Sequence, residues 1–268
     1  MTHPRLSIDA LSSFNWSFDQ DLALWRELEA KWAALLISKI ADDIPGKVRR
    51  LHDAGIQLST VVTGAFDLSR PETWEAHREH LQVVIDAVAG VGGKTTYGTP
   101  GRTTGAPWSE VADIFCEAIA PSVAYAKAKG VQLAIEPSLR TDASFVNTLR
   151  DAVDLCERTG LGVIVDFANC WMERDLGEVI SRAGPHIALV QIDDVIIGGP
   201  GRPTPGGRVN IGDGDLPVRR LMQYVLATGY QGPFDLEVLG PVVEAEGYAA
   251  SLRRGVKLAS DLLTEAGV

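Results

Sequence analysis

Cysteine is scarce in this chain of 268 residues, which contains three of them, Cys116, Cys156 and Cys170. They share no metal-type spacing, and an odd number of cysteines cannot all pair, so a disulfide framework is excluded. This usage favours a reducing compartment. We therefore expect a cytoplasmic protein.

Long apolar runs are also missing, since none approaches the length that is needed to cross a bilayer. The opening residues, Met-Thr-His-Pro-Arg, lack the charged segment and apolar core of a signal peptide. We expect a soluble protein without a membrane partner.

Positive charge is in short supply: the chain has 25 Lys and Arg against 35 Asp and Glu, for a net charge of −10. Basic residues cluster only as pairs such as Arg49-Arg50, in segments with helical patterns. A nucleic acid or an anionic membrane would meet net repulsion. A small-molecule substrate is the expected partner, and a homo-oligomer is compatible with the sequence.

The composition is that of a globular protein with a substantial core, because 46% of the residues are hydrophobic and 22% are charged. No low-complexity linker or composition shift divides the chain. The sequence therefore predicts a single domain over residues 1–268.

Apolar strand-like runs alternate with helical patterns at a period of about 30 residues, the length of a strand plus its crossover helix. Eight such strands are predicted, at 6–11, 34–40, 56–62, 91–97, 131–136, 161–166, 187–192 and 232–237. Eight strand and helix pairs in a chain of this length predict an α/β protein, a (β/α)8 TIM barrel. The alternative is an open doubly wound sheet, which usually carries a glycine fingerprint after its first strand. Residues 10–15, Ala-Leu-Ser-Ser-Phe-Asn, contain no glycine.

Four of the predicted strands have a polar residue at or next to their carboxyl end: Glu136, Asp166, Gln191 and Glu237. A carboxylate at the end of a buried strand is costly unless it reaches solvent or a cation neutralises it. Barrel active sites lie at the carboxyl ends of the strands. Three carboxylates and an amide oxygen are hard ligands that suit Mn²⁺ or Mg²⁺ better than zinc.

The second half of the chain resembles the xylose-isomerase-like sugar isomerases and epimerases, whose members include hydroxypyruvate isomerase, D-tagatose 3-epimerase and inosose dehydratase. The segments that carry the resemblance are 130–137 (Gly-Val-Gln-Leu-Ala-Ile-Glu-Pro), 147–166, 190–193 (Val-Gln-Ile-Asp), 205–217 and 229–237 (Gly-Tyr-Gln-Gly-Pro-Phe-Asp-Leu-Glu). The first half resembles the family mainly in the alternation of its predicted strands and helices, and residues 54–59 and 63–66 are its best-matching segments.

The resemblance implies that Glu136, Asp166, Gln191 and Glu237 coordinate one divalent cation, Mn²⁺ or Mg²⁺. It also implies that Glu136 and Glu237 are the acid and base pair, acting on the substrate from opposite sides. If one of the two is purely structural, Asp193 or Asp194 is the substitute to test.

The chain departs from the family where Asp-x-x-His is usual, because it has Asp166-Phe-Ala-Asn169. Asparagine can hydrogen-bond a substrate but cannot carry a proton at neutral pH. Arginine in the loop after the seventh strand is the family's usual clamp, and Arg202 and Arg208 are both candidates. Trp171 and Phe66 are predicted to form an apolar wall against the substrate, and Tyr97 and Trp108 are further aromatic candidates.

Three functions remain open from the sequence. The first is metal-dependent isomerisation or epimerisation of a keto-sugar or a related hydroxy-carbonyl compound. The second is a lyase or dehydratase that forms the same enolate and expels a hydroxyl or glycosidic group. The third is a barrel without catalysis that serves as a binding subunit, which the intact four-ligand set argues against.

Overall fold

The architecture is a closed barrel of eight parallel strands, seen in a computed structural model that describes residues 2–198 and 207–268. The strands are β1 (Leu6–Asp9), β2 (Trp32–Leu36), β3 (Gln57–Val62), β4 (Thr95–Gly98), β5 (Gln132–Ile135), β6 (Gly162–Asp166), β7 (Ile187–Ile192), β8 (Asp194–Val195), β9 (Arg208–Val209) and β10 (Phe234–Leu236). The barrel runs β1-β10-β7-β6-β5-β4-β3-β2, and β8 pairs with β9 in a separate antiparallel ribbon. The predicted TIM barrel is confirmed.

Helices follow the barrel strands and surround them. They are α1 (Phe18–Glu27), α2 (Ile37–Ile40), α3 (Ile44–Asp53), α4 (Trp74–Gly90), α5 (Trp108–Ala128), α6 (Leu149–Thr159), α7 (Phe167–Cys170), α8 (Leu176–Ala183), α9 (Val218–Ala227), α10 (Pro241–Glu246) and α11 (Tyr248–Glu265). Within residues 2–198 and 207–268, no helix combines the length and the apolar character that a membrane span requires.

Local sequence signals set several helix boundaries. Ser17 caps α1 through a capping box with Gln20. The Thr148 side chain accepts from the Asp151 N–H to cap α6, which ends at Gly160 with a positive φ of 77°. This cap fixes the start of α6 at Leu149.

The second strand differs most from its prediction. Residues 34–40 were predicted as a strand, but β2 begins at Trp32, ends at Leu36 and is followed by the short helix α2. The periodicity of an apolar run of this length does not distinguish a buried strand from a buried helix. The last two helices, α10 and α11, are separated by Gly247, whose φ is 86°.

The barrel interior shows which residues point inward. Tyr97, Ala134, Ile164 and Leu189 form a buried cluster separate from the main core. Successive strand residues face opposite sides of a sheet, so Glu136, Asp166 and Gln191 extend the inward rows of Ala134, Ile164 and Leu189. The sequence pattern therefore places the polar strand ends inside the carboxyl end of the barrel.

A loop ordered around Asp194 follows β7. The Asp194 carboxylate accepts the backbone N–H groups of Gly212, Gly214 and Leu216, at 3.0, 3.1 and 2.9 Å. These bonds hold the chain beyond β9 against the end of β7. Asp194 therefore has a structural role here, and its carboxylate is not available as the substitute catalytic group.

Candidate active site

The four polar strand ends come together at the carboxyl end of the barrel. Asp166 is the register partner of Gln191, and Gln191 is the register partner of Asp235, two residues before Glu237. All four side chains are buried, with between 0% and 8% of each residue exposed. The predicted convergence of these residues is present in the structure, while their roles stay predictions.

Arg208 lies in the middle of this group. Its Nε donates to Asp193 Oδ2 at 2.6 Å, and its Nη2 donates to Asp166 Oδ2. The same Nη2 is 3.6 Å from Glu237 Oε1. One guanidinium is thus hydrogen-bonded to two carboxylates and forms an ion pair with a third.

Asn169 joins the remaining carboxylate to the cluster. It lies in α7, directly after β6, and its Nδ2 donates to Glu136 Oε1 at 2.8 Å and to Asp166 Oδ2 at 2.6 Å. Its Oδ1 accepts the Leu139 N–H at 3.3 Å, which fixes the orientation of the amide. Asn169 therefore positions two predicted ligands, a role that the sequence alone did not indicate.

Gln191 connects the cluster to Tyr97. The Nε2 of Gln191 donates to the Tyr97 hydroxyl at 2.9 Å and also to Glu237 Oε2. The Gln191 Oε1 is buried and has no hydrogen-bond partner among the described residues. Tyr97 was predicted as part of an apolar wall, but its hydroxyl makes it a polar member of the site.

A second pair of carboxyl groups, Asp9 and Asp235, lies beside the first group, and both residues are fully buried. Asp9 Oδ2 and both carboxyl oxygens of Asp235 have no hydrogen-bond partner among the described residues. Burial raises the pKa of both. Asp9 is the last residue of β1, as Asp166 is the last residue of β6. A carboxylate after the short apolar run at residues 6–8 is the sequence signal that could have identified Asp9 as a further member of the site.

The carboxylates of the cluster are difficult to ionise together. Burial raises the pKa of Glu237 to about 8, although Arg208 acts in the opposite direction. Burial and the neighbouring Glu237 and Asp166 raise the pKa of Glu136 as well. Burial opposes the charge of Arg208, but the surrounding carboxylates outweigh it and hold the guanidinium pKa above its usual value. The cluster therefore contains more carboxyl groups than one guanidinium can keep ionised together.

The donor set suits a hard divalent cation. It offers carboxylate oxygens and the unpartnered Oε1 of Gln191, which are the ligand types of Mn²⁺ and Mg²⁺. In the side-chain positions seen here, no group of three or more His, Cys, Asp and Glu side chains in the described ranges is arranged to hold a metal ion. The guanidinium of Arg208 contacts oxygens of two of these residues, Asp166 and Glu237.

The other predicted substrate contacts lie outside the cluster. Phe66 is buried with its ring centroid 4.3 Å from that of His77, which places it in the core between β3 and α4 and not in an open mouth. Trp171 is half-buried at the end of α7, two residues after Asn169. Arg202 lies outside the described residues.

None of the five histidines joins the carboxylates. His52 lies in α3, His77 and His80 lie in α4, and His186 immediately precedes β7, at the opposite end of the barrel. His3 precedes β1. These five side chains therefore form no histidine cluster beside the carboxylates.

A surface cleft of about 840 Å³ opens at the other end of the barrel, around the amino ends of β4, β5 and β7. Its lining includes the turn residues Gly130, Gly160 and Gly229 and the lysines Lys94 and Lys127. It contains no carboxylate or histidine, and catalytic groups of TIM barrels lie at the opposite end. We do not assign it to the active site.

Exposed apolar side chains surround the carboxyl end of the barrel. Six large hydrophobic residues are exposed in the described ranges, and five of them lie in segments that follow barrel strands: Phe14, Trp108, Leu139, Met172 and Ile197. Met172 is 58% exposed and lies three residues after Asn169. Leu139, whose N–H donates to the Asn169 amide, places exposed apolar surface beside the polar cluster.

Comparison with known proteins gives the family. The model of the xylose isomerase-like TIM barrel family matches residues 28–258. No curated protein matches the sequence.

Similar solved structures include a protein from Sinorhizobium meliloti 1021, with 23% identity over 96% of this chain and 98% of that one and a TM-score of 0.82. Another is IolI protein with a bound zinc atom, with 17% identity, 97% and 98% coverage and a TM-score of 0.81. A third is D-psicose 3-epimerase with D-tagatose from Clostridium cellulolyticum H10, with 16% identity, 97% coverage of both chains and a TM-score of 0.74. At these identities the structures show a shared fold. Because the family model matches most of this chain and the strands form a closed eight-stranded barrel, the chain belongs to the xylose isomerase-like TIM barrel family.

Proposed function

We propose that this protein is a divalent-metal-dependent isomerase or epimerase of a keto-sugar or a related hydroxy-carbonyl compound. The observation that carries the proposal is the convergence of Glu136, Asp166, Gln191 and Glu237 inside the carboxyl end of the barrel. Solved structures with the same fold include a zinc-bound protein and a 3-epimerase with a ketose.

The ligand set assigned here is Glu136, Asp166, Gln191 and Glu237. A bound Mn²⁺ or Mg²⁺ would polarise a substrate carbonyl and acidify the adjacent C–H group. The unpartnered Gln191 Oε1 supports its place in the set. The Nε2 group of Gln191 donates hydrogen bonds to the Tyr97 hydroxyl and to Glu237, and these two bonds hold the amide in one orientation.

Glu136 and Glu237 are suited to proton transfer on two sides of a substrate. They follow β5 and β10, which are separated in the barrel by β6 and β7. Without a bound cation, burial raises the pKa of both carboxyl groups, so each can hold a proton near neutral pH and release it in a proton transfer. One glutamate removes the proton next to the carbonyl, and the other returns a proton to the opposite side or to the neighbouring carbon.

Metal binding is the first prediction. Glu136→Gln and Asp166→Asn should each weaken Mn²⁺ binding by at least the roughly 10–100-fold that loss of supporting groups costs at metal sites. Isothermal titration calorimetry and metal analysis measure this directly. Glu178→Gln, on the exposed face of α8, is the control and should bind as the unaltered protein does. Unchanged affinity in both ligand variants would remove the assignment.

A lyase is the second candidate function, and the apolar surroundings of the site favour it. Phe14, Trp108, Leu139, Met172 and Ile197 offer contacts to an apolar group that a simple sugar does not carry. After proton loss next to the carbonyl, the electron pair would expel an alkoxide or phenoxide from the neighbouring carbon, and an acid would protonate it. The sugar product then contains a new C=C bond.

The two functions predict different substrates. A lyase of this kind should turn over a keto-sugar carrying an aryl or alkyl group with a kcat/KM about tenfold or more above that of the unsubstituted sugar, as expected from burying a few methylene equivalents. Met172→Ser should reduce that preference and leave the unsubstituted sugar unaffected. Equal kcat/KM values for the two substrates would exclude this second function.

A further inference from the structure

Arg208 is built into the polar cluster by its backbone as well as by its side chain. It lies in β9, whose register pairs Arg208 with Val195, and its N–H donates to the Leu239 carbonyl at 2.8 Å. Gly240 has a φ of 122°, and a Cβ added there would meet the Gly207 Cα at 3.1 Å. The chain after β10 therefore approaches the residue before Arg208 closely, and this packing directs the arginine into the barrel.

The side chain that results has little solvent contact. Only 13% of the Arg208 side chain is exposed, and its carboxylate partners Asp166, Asp193 and Glu237 are between 0% and 2% exposed. Burial of these carboxylates without a cation would be unfavourable. In this arrangement the guanidinium is the group that neutralises them.

A guanidinium and a divalent cation cannot share this position. Nη2 of Arg208 bonds the Asp166 oxygen Oδ2 and also lies beside Glu237 Oε1, so it uses oxygens of two assigned ligands. A dication bound to those oxygens would lie within a few ångströms of the guanidinium, where like charges repel strongly in a site with little water. Metal and guanidinium are therefore alternatives.

We propose that Arg208 is an internal counter-ion that competes with the divalent cation for the carboxylate cluster. In the metal-free protein the guanidinium holds Asp166, Asp193 and Glu237 together, and metal binding requires it to leave the oxygens of Asp166 and Glu237. This inference rests on the proposed metal centre. Its consequence is that the arginine lowers metal affinity while it stabilises the metal-free protein.

The displaced guanidinium remains tethered to the site. The backbone of Arg208 is held by β8 and by Leu239, so only the side chain needs to move. Metal binding would thus free the N–H groups of the Arg208 guanidinium to donate to an oxygen-rich substrate. Metal binding before substrate binding follows from this order.

The test is calorimetric titration of Mn²⁺ into the unaltered protein, Arg208→Met and Arg253→Met. Arg253 is an exposed arginine in α11 whose ion pair is with Glu27, so its removal changes the charge by the same amount away from the cluster. Arg208→Met should bind Mn²⁺ about tenfold or more tightly than the unaltered protein, and Arg253→Met should differ by less than about threefold, as exposed charges are screened.

Thermal unfolding gives a second readout, which also covers a variant that folds poorly without metal. Arg208→Met should have a lower Tm without metal and a larger rise in Tm on addition of Mn²⁺ than the unaltered protein. Arg208→Lys keeps the charge but loses the fork of donors, so its affinity should lie between the two.

The outcomes separate the two proposals. Mn²⁺ affinity of Arg208→Met equal to or weaker than that of the unaltered protein overturns the competition while the metal centre stands. Absence of Mn²⁺ and Mg²⁺ binding in the unaltered protein, Arg208→Met and Arg208→Lys alike overturns the metal centre itself, and the competition with it.

Discussion

Replacing Glu237 or Glu136 with glutamine is expected to lower kcat by about 10²–10⁴-fold, the usual contribution of a positioned general acid or base. Glutamine matches glutamate in size but accepts no proton at neutral pH. Each change also alters a hydrogen bond, since Glu237 accepts from Gln191 and Glu136 accepts from Asn169. The local packing should nevertheless survive because the volume is unchanged.

The ligand role and the proton-transfer role of each glutamate can be separated. Turnover is measured at a Mn²⁺ concentration that saturates each variant, as determined by calorimetry, so that weakened metal binding no longer limits the rate. A variant that binds metal and remains inactive has lost proton transfer. Glu178→Gln on α8 should retain full activity. Full activity of Glu136→Gln or Glu237→Gln would remove that residue from the mechanism.

Replacing Lys39 with methionine is expected to lower the free energy of unfolding by about 3–5 kcal/mol, as breaking a buried ion pair does. The Lys39 Nζ donates to Asp21 Oδ2 at 2.7 Å and to the carbonyls of Ala10 and Ser13 at 2.7 and 2.9 Å. The side chains of Lys39 and Asp21 are 5% and 1% exposed. Methionine fills the space but leaves the buried Asp21 carboxylate without a cation.

The loss should depend on pH in a defined direction. Burial raises the pKa of Asp21 from 3.8 to about 6 even with Lys39 beside it. Because the pKa in the folded state is the higher one, protonation of Asp21 favours the folded state, and this contribution is lost as the pH rises through about 6. Removing Lys39 raises the pKa of Asp21 further. The destabilisation should therefore be larger at about pH 8 than at about pH 5.

Chemical denaturation of Lys39→Met at both pH values measures the effect. Arg253→Met removes an exposed ion pair with Glu27 and should leave the free energy of unfolding almost unchanged, as exposed pairs do. A loss below about 1 kcal/mol at both pH values would contradict the assigned role of the Lys39 and Asp21 pair.

The strand pattern was predictable because it depends on local sequence. Runs such as 161–166 and 187–192 are apolar along most of their length, with a polar residue at or next to the carboxyl end, which indicates parallel strands buried on both faces. The period of two then places Asp166 and Gln191 inside the barrel. Closure of the barrel brings residues together that are more than a hundred positions apart in the sequence, and only the count of strands and the resemblance indicated that closure.

The contacts of Arg208 could not be predicted in the same way. They depend on the β8 and β9 ribbon and on the close approach of residue 240, which are tertiary features without a periodic signal. The sequence identified Arg208 and Arg202 as alternatives, and the structure places Arg208 among the carboxylates. Similarly, Lys39 falls in an apolar run, and its burial is understandable only once Asp21 and the carbonyl of Ala10 are found beside it.

The measurement that tests the proposed function most directly is hydrogen exchange during turnover in D₂O. A panel of keto-sugars and inososes, with and without an added aryl group, is incubated with the metal-loaded protein, and the products are read by NMR after metal removal. We expect deuterium at the carbon next to the carbonyl, in turnover that requires Mn²⁺ or Mg²⁺ and both Glu136 and Glu237. A substrate that is turned over without any exchange, even in a single turnover, would contradict proton abstraction and indicate hydride transfer instead.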